Sequence, residues 1–278
     1  MKNRCLLDQM LEPDGLSTLF QPIFEARDNS WGLHALECLT RGPKGTNLEP
    51  ADLLFEYVRR KRKECELDRV CIARALRCAG DLYTDASFSL NVHASTLGSD
   101  PEFPFFLEDI AEANAIRASS LIVEIVEHTP FWDETTFLAS LEALRRMRIR
   151  VALDDIGIKH SNFRMVLNCR PDYFKIDRYL VEGCREDYYR RAILESISKL
   201  AHKVGSRVVT EGISDIRDLH VVSDLGIDLV QGYLFYPALA PEDLLTTPIL
   251  HGQLVNPRAG LFNRTPHAEG RARADHHA

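Results

Sequence analysis

Val151-Ala152-Leu153-Asp154-Asp155 reads as a short β-strand that ends on two acids. The pattern recurs along the chain. Short apolar or β-branched runs end at or near Glu37, Asn91, Glu124, Lys175, Glu211 and Gln231, and an earlier run, Leu19 to Phe24, carries Gln21. Eight strand-like segments that each deliver polar chemistry near their ends predict an α/β fold, a (β/α)8 barrel, whose active site collects at one face from many strand ends.

The chain has 278 residues, a length that one barrel domain can fill. With 34 Lys and Arg against 41 Asp and Glu, the formal charge is −7. An acidic whole argues against a nucleic acid polymer as partner, because backbone binding needs a basic surface. The basic run Arg59 to Lys63 reads as a solvated helix end. Seven cysteines without a close CxxC pair fit reduced thiols in a cytoplasmic protein. No apolar stretch approaches the roughly 18 residues of a membrane span, so no membrane insertion is expected.

Pro50 opens a helix, and Leu67, Val70, Cys71, Ala75 and Cys78 make one helical face over 64–79. Further helices are expected over 135–147 and over 188–204, the latter closed by Gly205. Strands are expected at 151–154, 173–176, 207–210 and 229–231. Strands alternating with helices imply parallel βα units. Residues 1–16 read as a short lead with no separate domain before the barrel, 17–248 as the barrel, and 249–278 as an extension, disordered from about residue 263.

The strand ends carry five carboxylates, Glu37, Glu124, Asp154, Asp155 and Glu211, together with Asn91 and Lys175. Any one acid alone reads as a surface or salt-bridged group. Gathered, they repel one another unless counter-charge is supplied. Hard oxygen donors of this kind suit Mg²⁺ or Mn²⁺. Two such ions about 4 Å apart can clamp a phosphodiester, and the Lys175 ammonium can hold water or neutralise charge in the transition state. Adjacent side chains in a continued strand point to opposite faces, so Asp154 and Asp155 serve one site only if the strand breaks there. Gly157 supports such a turn.

Glu37-Cys38-Leu39-Thr40-Arg41 resembles the Glu-Ala-Leu-x-Arg signature of EAL domains, the cyclic di-GMP phosphodiesterases. The resemblance extends, in order, through Gln21-Pro22-Ile23, Leu90-Asn91-Val92, Glu124-Ile125-Val126-Glu127, Asp154-Asp155-Ile156-Gly157, Lys175-Ile176-Asp177, Glu211-Gly212-Ile213 and Gln231-Gly232-Tyr233. It implies a barrel whose first strand is antiparallel to the rest, and opening of cyclic di-GMP to linear pGpG. Glu37, Asn91, Glu124 and Asp154 are implied as ligands of one divalent cation, and Asp154, Asp155 and Glu211 of a second. Lys175 and Gln231 are implied to position water and substrate, Gln21 and Arg41 to contact the nucleotide, and Glu127 to brace the loop after the aspartates. A homodimer and a regulatory protein partner are further expectations.

That loop departs from the family pattern. The family's Asp-Asp-Phe-Gly-Thr-Gly-Tyr-Ser-Ser is here Asp154-Asp155-Ile156-Gly157-Ile158-Lys159-His160-Ser161-Asn162. A lysine where a glycine with positive φ is needed costs on the order of 1 kcal/mol. The departure opens an alternative: a catalytically weak or inactive barrel that acts as a cyclic di-GMP receptor or a protein-interaction regulator.

Overall fold

The computed structural model describes Met10 and residues 15–27, 30–82, 84–126, 133–157 and 163–257. Eight strands close into a barrel in sequence order: β1 (Ser17–Arg27), β2 (Ser30–Arg41), β3 (Ser87–His93), β4 (Leu121–Val126), β5 (Arg150–Ile156), β6 (Tyr173–Ile176), β7 (Arg207–Thr210) and β8 (Leu229–Val230). β1 is antiparallel to both β2 and β8, and the remaining pairs are parallel. Only two residues separate β1 from β2, a link that can join only antiparallel neighbours.

Helices cover the outside. The four expected from the sequence are α1 (Ala51–Arg60), α2 (Glu64–Gly80), α5 (Glu134–Arg146) and α8 (Tyr188–Lys203). The structure adds α3 (Ala94–Ser99), α4 (Phe103–Ala113), α6 (Phe163–Cys169), α7 (Arg178–Val181), α9 (Ile216–Asp224) and α10 (Pro241–Leu245). The carboxylates of Asp133, Asp177, Asp187 and Asp215 cap the first turns of α5, α7, α8 and α9, each satisfying amide donors the helix leaves open. Val255 pairs through its backbone with Trp31, so the chain at Val255 packs on the β1–β2 hairpin. Six of the cysteines fall among the described residues and all are free. No helix among the described residues is long and apolar enough to cross a membrane.

Period-2 alternation sorts the strand residues. Ile23, Ala35, Ile122, Ala152, Tyr173, Val209 and Leu229 form one apolar layer inside the barrel. Their neighbours Leu36, Val123, Leu153, Phe174 and Val230 belong to the larger core between strands and helices. Two residues beyond the inner layer lie Glu37, Glu124, Asp154, Lys175, Glu211 and Gln231. β1 runs the other way, and there Gln21 lies two residues before Ile23. The apolar layer is therefore a floor, and the polar residues stand on it.

One buried carboxylate fastens a corner of this frame. Asp68 on α2 is 1% exposed. It accepts hydrogen bonds from the His93 amide at 3.0 Å, His93 Nδ1 at 2.9 Å and Thr96 Oγ1 at 2.6 Å. The turn it holds follows Asn91 directly. Removing it takes away the acceptor of three buried hydrogen bonds. Asp68→Ala is expected to cost about 3 kcal/mol of stability, read from urea denaturation, and Asp68→Asn is expected to cost less.

Candidate active site

Lys175 lies at the centre of the polar layer and is 1% exposed. Its ammonium is 2.6 Å from Glu124 Oε2, 2.6 Å from Glu211 Oε1, 3.5 Å from Glu37 Oε2 and 3.7 Å from Asp154 Oδ1. Glu37 is further held by Asn91 Nδ2 at 3.1 Å and Gln231 Nε2 at 2.7 Å. Ser89 donates to the other oxygen of Glu124. Gln21 faces Glu37 across the β1–β2 ladder, and its amide donates to the Tyr236 carbonyl at 3.5 Å. Arg41 lies four residues past Glu37, its guanidinium donating to the Thr40 carbonyl at 3.0 Å.

The two aspartates share the site because the β5 ladder breaks between Leu153 and Ile156. Asp155 has φ +53°, a left-handed conformation that costs a non-glycine residue on the order of 1 kcal/mol. Both aspartates consequently line one cavity of about 420 Å³ with Glu37, Asn91 and Arg41. Glycines turn the chain sharply after two other site residues. Gly212 follows Glu211 with φ +70°, and a Cβ there would lie 2.3 Å from Arg178 Cβ. Gly232 follows Gln231 with φ +156°, and a Cβ there would lie 2.2 Å from the Ile213 carbonyl oxygen.

The charges do not balance. Four carboxylates share one ammonium. Burial raises Glu124 from 4.5 to about 8, with Glu37 adding repulsion and Lys175 opposing it. Burial likewise holds Asp154 above its ordinary value and Glu211 well above it, against the pull of Lys175. For Glu37, burial is outweighed by the Lys175 charge and by hydrogen bonds from Gln231 and Asn91, so its pKa falls. Burial would lower Lys175, yet Asp154, Glu124, Glu211 and Glu37 together raise it well above its ordinary value.

This surplus of negative charge fits a divalent cation, as does the all-oxygen donor set. The buried Oε1 of Gln231 also has no hydrogen-bond partner. Among the described residues, no three acid, His or Cys side chains already converge as an ion cage, because Lys175 holds the middle. An ion would have to draw the carboxylates off the ammonium.

The structure thus brings Gln21, Glu37, Arg41, Asn91, Glu124, Asp154, Asp155, Lys175, Glu211 and Gln231 to one mouth of the barrel. Glu127 and the altered residues 158–162 lie outside the described residues. Ser89 was missed by the sequence reading, although it stands two residues before Asn91 on the same face. Arg59 was misplaced. Arg60, Lys61 and Arg62 are exposed as expected, whereas Arg59 lines the cavity and its Nε is buried.

A family model described as EAL domain matches residues 4–238, and the chain belongs to the EAL domain family. It is 26% identical over 246 residues to the cyclic di-GMP phosphodiesterase NbdA of Pseudomonas aeruginosa, a match covering 86% of this chain and 31% of that protein. The chain thus spans about a third of that relative's length. Among solved structures it is similar to an EAL domain protein from Listeria monocytogenes, with TM-score 0.73, 22% identity and coverage of 88% of this chain and 97% of the other. It is also similar to a standalone EAL protein from Vibrio cholerae in its c-di-GMP bound form, with TM-score 0.72, 20% identity and coverage of 81% and 93%. At these identities both likenesses are of fold.

The charge imbalance sets a pH dependence. Glu124 binds its proton more tightly folded than unfolded, so stability falls as pH rises from about 4.5 towards about 8. Chelator-treated protein is expected to melt progressively lower between pH 5 and pH 8, since carboxylate titration sets that window. Added Mg²⁺ or Mn²⁺ is expected to restore more at the upper end than at the lower, because ions bind deprotonated ligands. Melting curves across that range, with and without the ion, check both. Lys175→Met removes the counter-charge and is expected to steepen the loss measured in chelator.

Proposed function

We propose that this barrel binds cyclic di-GMP and, with divalent cations, hydrolyses it to linear pGpG. The observation that carries the reading is the set of four carboxylates that share the Lys175 ammonium, two of which, Glu37 and Asp154, line a 420 Å³ cavity together with Asp155. Cavities of about 300–1,000 Å³ are typical of small-molecule sites, and this one has acidic, basic and apolar walls. Glu37, Asn91, Glu124 and Asp154 would hold one cation, and Asp154, Asp155 and Glu211 the other. Bound there, divalent Mg²⁺ or Mn²⁺ would neutralise phosphate charge and acidify a water.

The chain's own residues do the rest. Arg41 meets a phosphate by a charge-assisted hydrogen bond, and Gln21 contacts the nucleotide beside Glu37. Lys175, released from its acids, orients the water and offsets charge that develops on the phosphoryl oxygens. Gln231 keeps Glu37 in place. Water oxygen bonds to phosphorus, the bond from phosphorus to the 3′ oxygen breaks, and that oxygen leaves with a proton. The product keeps a 5′ phosphate, as pGpG does. A cytoplasmic protein, working as a homodimer or with a regulatory protein partner, completes the reading.

One observation favours a second reading. Lys175 pairs directly with four of the acids, a state in which the barrel could bind cyclic di-GMP without turning it over. Incubating the protein with cyclic di-GMP and Mg²⁺ or Mn²⁺, and separating products by chromatography, decides between them. Appearance of pGpG supports the enzyme, and tight binding without product supports the receptor. For the enzyme, Glu37→Gln is expected to lower kcat by at least about 100-fold, the upper range for groups that merely support metal ligands. Turnover within a few-fold of the parent would overturn the assignment of Glu37.

A further inference from the structure

The cavity extends beyond the acids, between the strand ends and helices α1 and α2. Its far wall carries Phe55, Ile72 and Ala75 together with Asp52, Glu56 and Arg59 of α1. Arg59 Nε is buried without a hydrogen-bond partner. The Nε is closed off from the cavity, so what the guanidinium can offer a ligand there is its outer Nη groups. Glu56, the neighbouring acid on α1, is paired with Arg60. The occupant that answers this wall has flat apolar faces, presents acceptors to a guanidinium and carries a phosphate at the acid end. One nucleotide half of a cyclic dinucleotide has all three.

Guanine presents O6 and N7 side by side, two acceptors spaced for the fork of an arginine. Adenine presents N7 beside an N6 donor, which would set N–H against N–H. The apolar wall contributes stacking, which is tolerant of base identity. At the O6 and N7 edge, discrimination therefore falls to the guanidinium. We infer that Arg59 is a specificity residue that selects guanine at this end of the cavity, through its O6 and N7 atoms. The inference rests on the reading of the barrel as a cyclic di-GMP site.

The test is a calorimetric titration of the full chain with cyclic di-GMP and with cyclic di-AMP in the presence of Ca²⁺, with product formation followed on the same samples. The parent, Arg59→Met and Arg59→Lys are compared after their melting temperatures have shown them folded. The parent is expected to prefer cyclic di-GMP. Arg59→Met is expected to lose about tenfold or more in affinity for cyclic di-GMP and little for cyclic di-AMP. Arg59→Lys keeps a cation that can donate to O6 and N7 but not the fork, and it is expected to retain part of the preference that Arg59→Met loses. A guanine preference that survives in Arg59→Met, or an equal loss for both ligands, would overturn the inference and leave the cyclic di-GMP reading standing. A parent that binds neither dinucleotide would overturn both.

Discussion

The ammonium of Lys175 lies where the barrel interior changes from apolar to polar, against Glu124, Glu211, Glu37 and Asp154. Below it, the inner layer that includes Ile122, Tyr173 and Val209 keeps water out. With water excluded, charge interactions are screened far less than at the surface. An isolated lysine at this depth would shed its proton. Surrounded by carboxylates, it keeps it, while the acids in excess carry raised pKa values. The layer is thus deficient in positive charge even with Lys175 present, which is the property a cation and a phosphodiester can use.

The geometry that gathers these acids carries local strain. Asp155 takes up a left-handed conformation, and the β5 ladder breaks beside it. Gly212 and Gly232 admit backbone approaches that leave no room for a Cβ. Such strain persists only where the surroundings hold it in place. Here the holding is done by a closed sheet without free edges and by buried polar pins such as Asp68. Stability in the frame and strain at the mouth are two aspects of one arrangement.

Helix α1 links that mouth to the surface. Its body covers the cavity with Phe55 and Arg59, while the residues just past its end, Lys61 and Arg62, are in solvent. A cavity with strand-end acids and Arg41 on one side and Asp52, Glu56, Arg59 and apolar side chains on the other suits an elongated molecule with a charged middle and a flat end. It suits a compact anion or a purely apolar ligand poorly.

Much of this was legible along the chain. The apolar runs marked the strands, the carboxylate and glycine motifs marked their ends, and the helices around Leu67 and Leu194 appeared within a residue or two of their observed bounds. Alternation of period two also determines which residues share the inside with Lys175, because side chains two apart on a strand face the same way. The direction of β1 came from family resemblance and not from periodicity, since an isolated strand pattern reads the same both ways. Only closure of the barrel decided the rest. It bonded Gln231 to Glu37 across 194 positions of sequence, put four acids within reach of one ammonium, and separated Arg59 from the exposed Arg60, Lys61 and Arg62. Those outcomes depend on distances between segments remote in sequence, and local pattern carries no information about such distances until the sheet closes.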